Sequence, residues 1–188
     1  MTRVVLSIGS NLGDRLARLQ SVLDRLGDTV HAVSPVYETA AWGGVEQGAF
    51  LNAIVIAEDP TLDGQGWLRL AQEMEVAAER VRGQRWGPRT LDVDLVSCHQ
   101  PSPAGDIEVF SLVDGLTLPH PLAHLRAFVM IPWLDVDPDA VLTVAGGKRP
   151  VSQLFAELDP ADRASVQLTG LVLTPRGENT ESDVAPAT

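Results

Sequence analysis

The sequence predicts an α+β fold, and three observations carry that prediction. Period-two and helical hydrophobic patterns follow one another as strand, helix, strand, strand, helix, strand, with mixed short elements after them. The chain has 188 residues, 45% of them hydrophobic, which suits one domain with a sizeable core. No internal repeat interrupts that order. Two helices on one face of an antiparallel sheet is the ferredoxin-like arrangement. The expectation is therefore a ferredoxin-like antiparallel sheet with helices on one face plus C-terminal additions.

Residues 3–9 form the first predicted strand, dominated by Val4, Val5, Leu6 and Ile8. Ser10 and Asn11 can cap the next helix, with Asp14 in its first turn. Leu12, Leu16, Leu19, Val22, Leu23 and Leu26 recur at helical spacing, and Gly27 closes the helix. Gly9 to Gly13 loosely resembles a phosphate cradle, though a tight strand-to-helix turn is the simpler account. A second strand is expected over 30–38, where Pro35 implies an edge position or a bulge. Residues 39–48 form a glycine-containing loop around Trp42. The strand over 50–57 is apolar apart from Asn52, which reads equally as an outward-facing amide or as a donor–acceptor for a heterocycle. Asp63 can cap a helix over 65–81, with Trp67, Leu70, Ala71, Met74, Ala78 and Val81 on its buried stripe. Gln72 and Glu75 lie near the stripe's border.

The most informative stretch is 80–96. Arg80, Arg82, Arg85 and Arg89 fall close together in a chain of net charge −11. Trp86, Gly87 and Pro88 separate most of them from a strand in which Leu91, Val93 and Leu95 alternate with Asp92, Asp94 and Val96. Side chains two apart on a strand share a face. Two carboxylates on one face are costly unless a cation sits between them, and Mg²⁺ is commonly held by one or two carboxylates plus substrate phosphates. Arginines upstream can grip phosphate oxygens in bidentate fashion. An isolated Asp-x-Asp is usually a solvated pair; its conjunction with the arginines describes a metal–nucleotide site.

Farther on, 99–106 is a loop, 107–109 a short strand, and 116–121 is extended by prolines. Pro121 can start a helix through Arg126, and 128–134 continues apolar. His120 and His124 at i, i+4 lack a third metal ligand nearby; His120, near Arg126, reads equally as a phosphate contact or a plain loop histidine. A short amphipathic helix is expected over 151–158. Residues 1–174 are expected to form one domain and 175–188 a disordered tail.

Composition excludes several classes. The acidic balance argues against general nucleic-acid affinity and against anionic membrane surfaces. One cysteine, Cys98, permits no intrachain disulfide and no cysteine metal cluster. No run approaches the length of a membrane span, and the N-terminus lacks a signal-peptide pattern. Cytoplasm is the expected location. The single lysine, Lys148, is followed by Arg149 and Pro150, so no P-loop is present.

The sequence resembles the 6-hydroxymethyl-7,8-dihydropterin pyrophosphokinases of folate biosynthesis from about residue 4 to residue 138. The resemblance is carried by Ile8-Gly9-Ser10-Asn11-Leu12-Gly13, Tyr37-Glu38-Thr39 and Phe50-Leu51-Asn52-Ala53. It continues in Arg85-Trp86-Gly87-Pro88-Arg89-Thr90-Leu91-Asp92-Val93-Asp94-Leu95, and in Leu118-Pro119-His120-Pro121 through Arg126 and Phe128. It implies Mg²⁺-dependent transfer of diphosphate from ATP to a pterin hydroxymethyl group, with AMP released. Asp92 and Asp94 would hold two Mg²⁺ ions. Arg80, Arg82 and Arg89 would hold or release phosphates, and Trp86 would help close a loop. Gln72, Glu75, Leu95, Thr117, His120 and Arg126 would line the ATP pocket. Phe50 and Phe128 would sandwich the pterin, with Asn52 and Thr39 at its polar edge and Ala40, Trp42 and Asp92 beside it. Ala40-Ala41-Trp42 stands where proline is common in the family, and Gly83-Gln84 is a short segment lacking a lysine that some members carry. The segment after Pro138 matches nothing that can be assigned. The implied partners are the two small substrates, with a monomer favoured.

Three other readings compete with this one. An RNA-binding module predicts a basic charge and paired strand aromatics, which the chain lacks. A non-catalytic sensor has no use for Asp92 and Asp94 beside arginines. Another Mg–nucleotide transferase is separable by its products.

Overall fold

The protein, seen here in a computed structural model, is described for residues 1–40, 47–79, 88–113 and 115–176. In chain order the elements are β1 (Thr2–Ser10), α1 (Arg15–Leu26), β2 (Val30–Val33), β3 (Tyr37–Thr39), β4 (Phe50–Asp59) and α2 (Gly64–Ala77). There follow β5 (Asp92–Gln100), β6 (Ile107–Glu108), β7 (Ser111–Val113), β8 (Leu116–Leu118) and α3 (Ala127–Val136). The chain ends with β9 (Val141–Val144), β10 (Gly147–Pro150), α4 (Val151–Ala156), α5 (Pro160–Ala164) and β11 (Val166–Leu168). Among the described residues no helix is long and apolar enough to cross a membrane.

The main sheet is antiparallel, in the order β11-β3-β4-β1-β5-β6, with β2 also paired to β4. The predicted second strand is two strands. Ser34, Pro35 and Val36 interrupt it, because Pro35 has no N–H for the ladder. Ser34 bridges the gap: its N–H donates to the Ile54 carbonyl and its Oγ accepts from the Ile54 N–H, both at 2.9 Å.

The first helix also starts later than the sequence suggests. Its cap is Asp14, which accepts from the Ala17 N–H at 3.0 Å. Ser10 and Asn11 are occupied elsewhere, and Leu12 is exposed, so it does not join the helical stripe. Gly27 closes the helix with φ 57°, its N–H on the Leu23 carbonyl. Asp63 caps α2 through the Gly66 N–H, as expected, but the helix ends at Ala77. The expected continuation to Val81 enters residues outside those described.

α1 and α2 cover one face of the sheet, packing Leu19, Leu23, Trp67, Ala71 and Met74 onto Leu6, Ile8, Val55, Val93 and Leu95. The expectation of helices on one face holds for that pair. The other face is covered by α3, α4 and the β9–β10 hairpin. Met130, Trp133, Leu142 and Leu154 pack there onto Val5, Ile54, Ile56 and Val96.

β5 contains a register slip. Leu6 pairs with Leu95 but Val5 with Ser97, leaving Val96 as the extra residue. The slip returns Cys98 to the core that holds Leu95.

Candidate active site

The α3-facing side of the sheet changes character along its strands. At one end Val5, Ile54, Ile56 and Val96 are apolar and covered. Two to four residues farther along the same strand faces stand Ser7, Gly9, Asn52, Asp92 and Asp94. They form the floor of a pocket together with Phe50 and Thr39. Register aligns them: Gly9 sits between Asn52 and Asp92, and Ser7 pairs with Asp94. Period two along each strand is what brings these side chains to one face. Arg126 and Phe128, at the start of α3, form one wall, and Arg89, just before β5, another.

Asn52 is 4% exposed, and its Nδ2 donates to Thr39 Oγ1 at 2.8 Å. That burial excludes the outward-facing amide. A Cβ on Gly9 would lie 3.0 Å from Asn52 Oδ1 and 3.6 Å from Phe50 Cδ1, so glycine leaves the room that the amide and the ring occupy.

The two carboxylates are embraced by cations. Arg89 Nη1 makes a short contact with Asp92 Oδ2. Arg126, 8% exposed, reaches Asp94 Oδ2 at 3.4 Å and lays its guanidinium 5.6 Å from the Phe128 ring centroid, within cation–π range. His120 Nε2 is 3.8 Å from Asp94 Oδ2. That approach is no ion pair, because burial, and after it the Arg126 charge, push the imidazole down to about 4. Neutral at pH 7, His120 accepts the Leu122 N–H on Nδ1 at 3.1 Å, which places its proton on Nε2.

Ser10 and Asn11 tie the pocket's loop stems together. Ser10 Oγ donates to the Thr90 carbonyl at 2.6 Å. Asn11 accepts the Arg89 N–H on Oδ1 at 2.7 Å and donates its own N–H to the Arg89 carbonyl at 3.1 Å. Its Nδ2 donates to Gln47 Oε1 and the Gly48 carbonyl, at 2.9 and 3.1 Å. These bonds are the physical reason Ser10 and Asn11 do not cap α1.

The pocket thus gathers Thr39, Ala40, Phe50, Asn52, Arg89, Asp92, Asp94, Arg126 and Phe128 from the residues singled out in the sequence. Glu75 is buried beneath β5, accepting the Val93 N–H at 3.0 Å, and Leu95 packs into the core on the opposite face. Gln72 and Thr117 are exposed on α2 and β8. Trp42, Arg80, Arg82 and Trp86 lie outside the described residues. Ser7 and Gly9 were missed as pocket residues. Their signal was present: two small residues, two apart, flanking Ile8 after the apolar run of Val4, Val5 and Leu6.

Among the described residues no cluster of three or more His, Cys, Asp or Glu could enclose a metal ion. The donors present are two hard carboxylates on one face of a solvent-reachable pocket. They fit an ion that completes its shell with phosphate oxygens and water, as Mg²⁺ does.

Comparison with known proteins identifies a family. Residues 5–138 match the family described as 7,8-dihydro-6-hydroxymethylpterin-pyrophosphokinase (HPPK). A Mycobacterium tuberculosis protein named 2-amino-4-hydroxy-6-hydroxymethyldihydropteridine pyrophosphokinase is 68% identical over 169 residues, covering 89% of this chain and 90% of that one. A Mycobacterium leprae protein of the same name is 61% identical over 188 residues, covering 99% and 98%. Among solved structures, a Plasmodium falciparum HPPK-DHPS is similar with a TM-score of 0.55 at 12% identity. It shares the fold over 83% of this chain, which spans 44% of that longer protein.

Proposed function

The chain belongs to the 7,8-dihydro-6-hydroxymethylpterin-pyrophosphokinase (HPPK) family, and from that membership we propose how its pocket transfers diphosphate. It is a pyrophosphokinase of folate biosynthesis. In the proposed reaction the hydroxymethyl oxygen of 6-hydroxymethyl-7,8-dihydropterin attacks the β-phosphorus of ATP. The bond from that phosphorus to the α–β bridging oxygen breaks. AMP leaves with that oxygen, and the hydroxyl proton is released.

The observation that carries the reading is the juxtaposition of Asp92 and Asp94 with Asn52, Phe50 and Phe128 in one pocket. It places a charged end beside a flat, amide-edged end. Phe50 and Phe128 take the two faces of the pterin, and Asn52, held by Thr39, meets its polar edge with Ala40 alongside. Trp42 belongs to the same end by family position. Asp92 and Asp94 would hold two Mg²⁺ ions, which neutralise and align the phosphates when bound. Arg89 and Arg126 supply positive charge to the triphosphate, with Arg89 passing from Asp92 to phosphate as substrate arrives. His120, kept neutral, offers its Nε2–H as a hydrogen-bond donor. Arg80, Arg82 and Trp86 are assigned phosphate holding and loop closure by family position, and Gln72, Glu75, Leu95 and Thr117 the surroundings of the nucleotide. Phosphoryl-type transfer needs positioning and charge stabilisation more than covalent chemistry, which suits a site with no activated nucleophile among its described side chains.

The strand order and pairing support a ferredoxin-like topology, with β5, β1, β4 and the β2–β3 edge as its four positions. We also infer one domain over 1–174. Leu173 is buried in the core and Thr174 exchanges hydrogen bonds with Gln20 at 3.0 and 2.9 Å, which supports that boundary. The predicted tail, apart from Pro175 and Arg176, lies outside the described residues. A cytoplasmic monomer remains the inferred setting, in keeping with its acidic surface charge and single buried cysteine.

Resolving the nucleotides after incubation with Mg-ATP and the pterin tests the reaction. AMP and pterin diphosphate should appear one to one, and only with both substrates present. ADP as the sole nucleotide product would refute the proposal.

A further inference from the structure

The family match stops at residue 138, yet the chain continues as an ordered structure that returns to the pocket. Three contacts converge there. First, the N-terminus of α3 has no cap from its own Arg126 side chain. The N–H of Ala127, the residue between Arg126 and Phe128, instead donates to Asp162 Oδ2 of α5 at 3.3 Å. Second, β11 adds to the sheet edge beside β3, with Val166 opposite Thr39 and Leu168 opposite Tyr37. The pairing is extended by Thr169, whose N–H and Oγ both donate to the Val36 carbonyl, at 3.0 and 2.7 Å. Third, Val166 and Leu158 pack with Tyr37, Ala127 and the Phe128 side chain in one small apolar cluster.

Each contact lands on an element that carries a pocket residue. Thr39 receives the Asn52 hydrogen bond at 2.8 Å, so shifting β3 shifts the amide. Phe128 leaves α3 one residue after the Ala127 N–H that Asp162 accepts, so fraying the first turn would swing the ring. Helix starts leave N–H groups unpartnered, and a carboxylate there is favoured both as an acceptor and by the helix dipole. α5 is itself fixed locally: Asp159 caps it through the Ala161 N–H at 2.7 Å, with Pro160 in its first turn. None of these contacts is made to Asp92, Asp94 or Arg89; Arg126, which precedes Ala127, is held on its own by Asp94 and the Phe128 ring.

We propose that residues 159–168 are a positioning brace for the pterin end of the pocket. Asp162 acts through Ala127 on Phe128, and β11 acts through Thr39 on Asn52. The inference rests on the pocket assignment above, and it extends the functional machinery past the family's matched segment. Neither Asp162 nor Val166 touches substrate; both are positioning residues.

The test compares Asp162→Ala, Asp162→Asn and Phe128→Ala in the full chain, reading KM for each substrate, kcat and Tm. Asp162→Ala should raise KM for the pterin about three- to tenfold, the scale of one lost hydrogen bond, with KM for ATP within about twofold. Asp162→Asn, whose amide oxygen can still accept, should recover most of that loss. An unchanged pterin KM in Asp162→Ala overturns the brace, as does a parallel rise of both KM values with a fall in Tm. Phe128→Ala separates the two failures. If it too leaves the pterin KM unchanged, the pocket assignment falls and the brace with it; if it raises that KM while Asp162→Ala does not, only the brace falls. Should Asp162→Ala not fold, Val166→Ala, which thins the packing beneath Phe128 but keeps the strand, is judged by the same selective rise.

Discussion

Replacing Gly9 with alanine should weaken pterin binding without weakening the fold. Gly9 is the penultimate residue of β1, paired on both sides, and its φ is outside the left-handed region, so alanine suits the backbone. In such positions Gly→Ala stabilises by about 0.4–1 kcal/mol through the unfolded chain. The cost falls on the pocket. The new methyl would sit 3.0 Å from Asn52 Oδ1, and the amide must retreat by a few tenths of an ångström. Asn52 cannot retreat freely, because its Nδ2 is bound to Thr39 Oγ1 at 2.8 Å. Losing or straining one such bond is worth about 1 kcal/mol, or roughly fivefold in binding. Initial rates with pterin varied at saturating Mg-ATP, and the reverse, should show the pterin KM raised by about that factor and the ATP KM unchanged. Tm should hold or rise slightly. An unchanged pterin KM, or a loss confined to ATP, would refute the reasoning that joins Gly9, Asn52 and the pterin edge.

Asp92→Asn and Asp94→Asn should each cut turnover by on the order of a hundredfold or more at saturating Mg²⁺, since each removes a charge that positions the phosphates; AMP formation measures this, and a near-normal kcat in either variant would sink the metal assignment. Tyr37 gives a pH prediction. Its phenol donates to Asp135 Oδ2 at 2.5 Å, and burial, then that bond and the carboxylate's charge, push it from 10.0 up to about 12. The folded state therefore keeps a proton that the unfolded chain releases above pH 10, so the contribution is intact below pH 10 and is lost as pH climbs towards 12. Chemical denaturation across that range should show stability falling more steeply for the wild type than for Tyr37→Phe; parallel slopes would contradict it.

Local signals were readable from the sequence and long-range ones were not. Asp92 and Asp94 announce a shared face because a strand's period is fixed by its backbone, whatever it packs against. Pro35 announced an edge position or a bulge for an equally local reason, where the fold has a full break between β2 and β3. Ser10 and Asn11 misled, because a capping-type residue beside a helix pattern is indistinguishable in sequence from one pledged to a segment nearly eighty residues away. Only the fold shows that Asn11 is held by Arg89. Ser7 and Gly9 gain meaning only when Asn52 and Asp94 are placed beside them. The partnership of Asp162 with Ala127 has no local trace, since neither residue type nor spacing links α5 to the start of α3.

The register slip in β5 has a consequence for how this chain can change length. A strand normally tolerates neither insertion nor deletion, since one residue inverts every side chain beyond it. Here the phase is already reset at Val96. Removing Val96 would leave Asp92 and Asp94 opposite Gly9 and Ser7 and Cys98 opposite Val4, joined by an unbroken ladder. Removing Val93 would turn one carboxylate towards the buried core. Val96 earns its place sideways: its carbonyl accepts the His120 N–H at 2.8 Å. A shortened β5 would therefore keep its aspartates in phase and lose its hold on the histidine beside them.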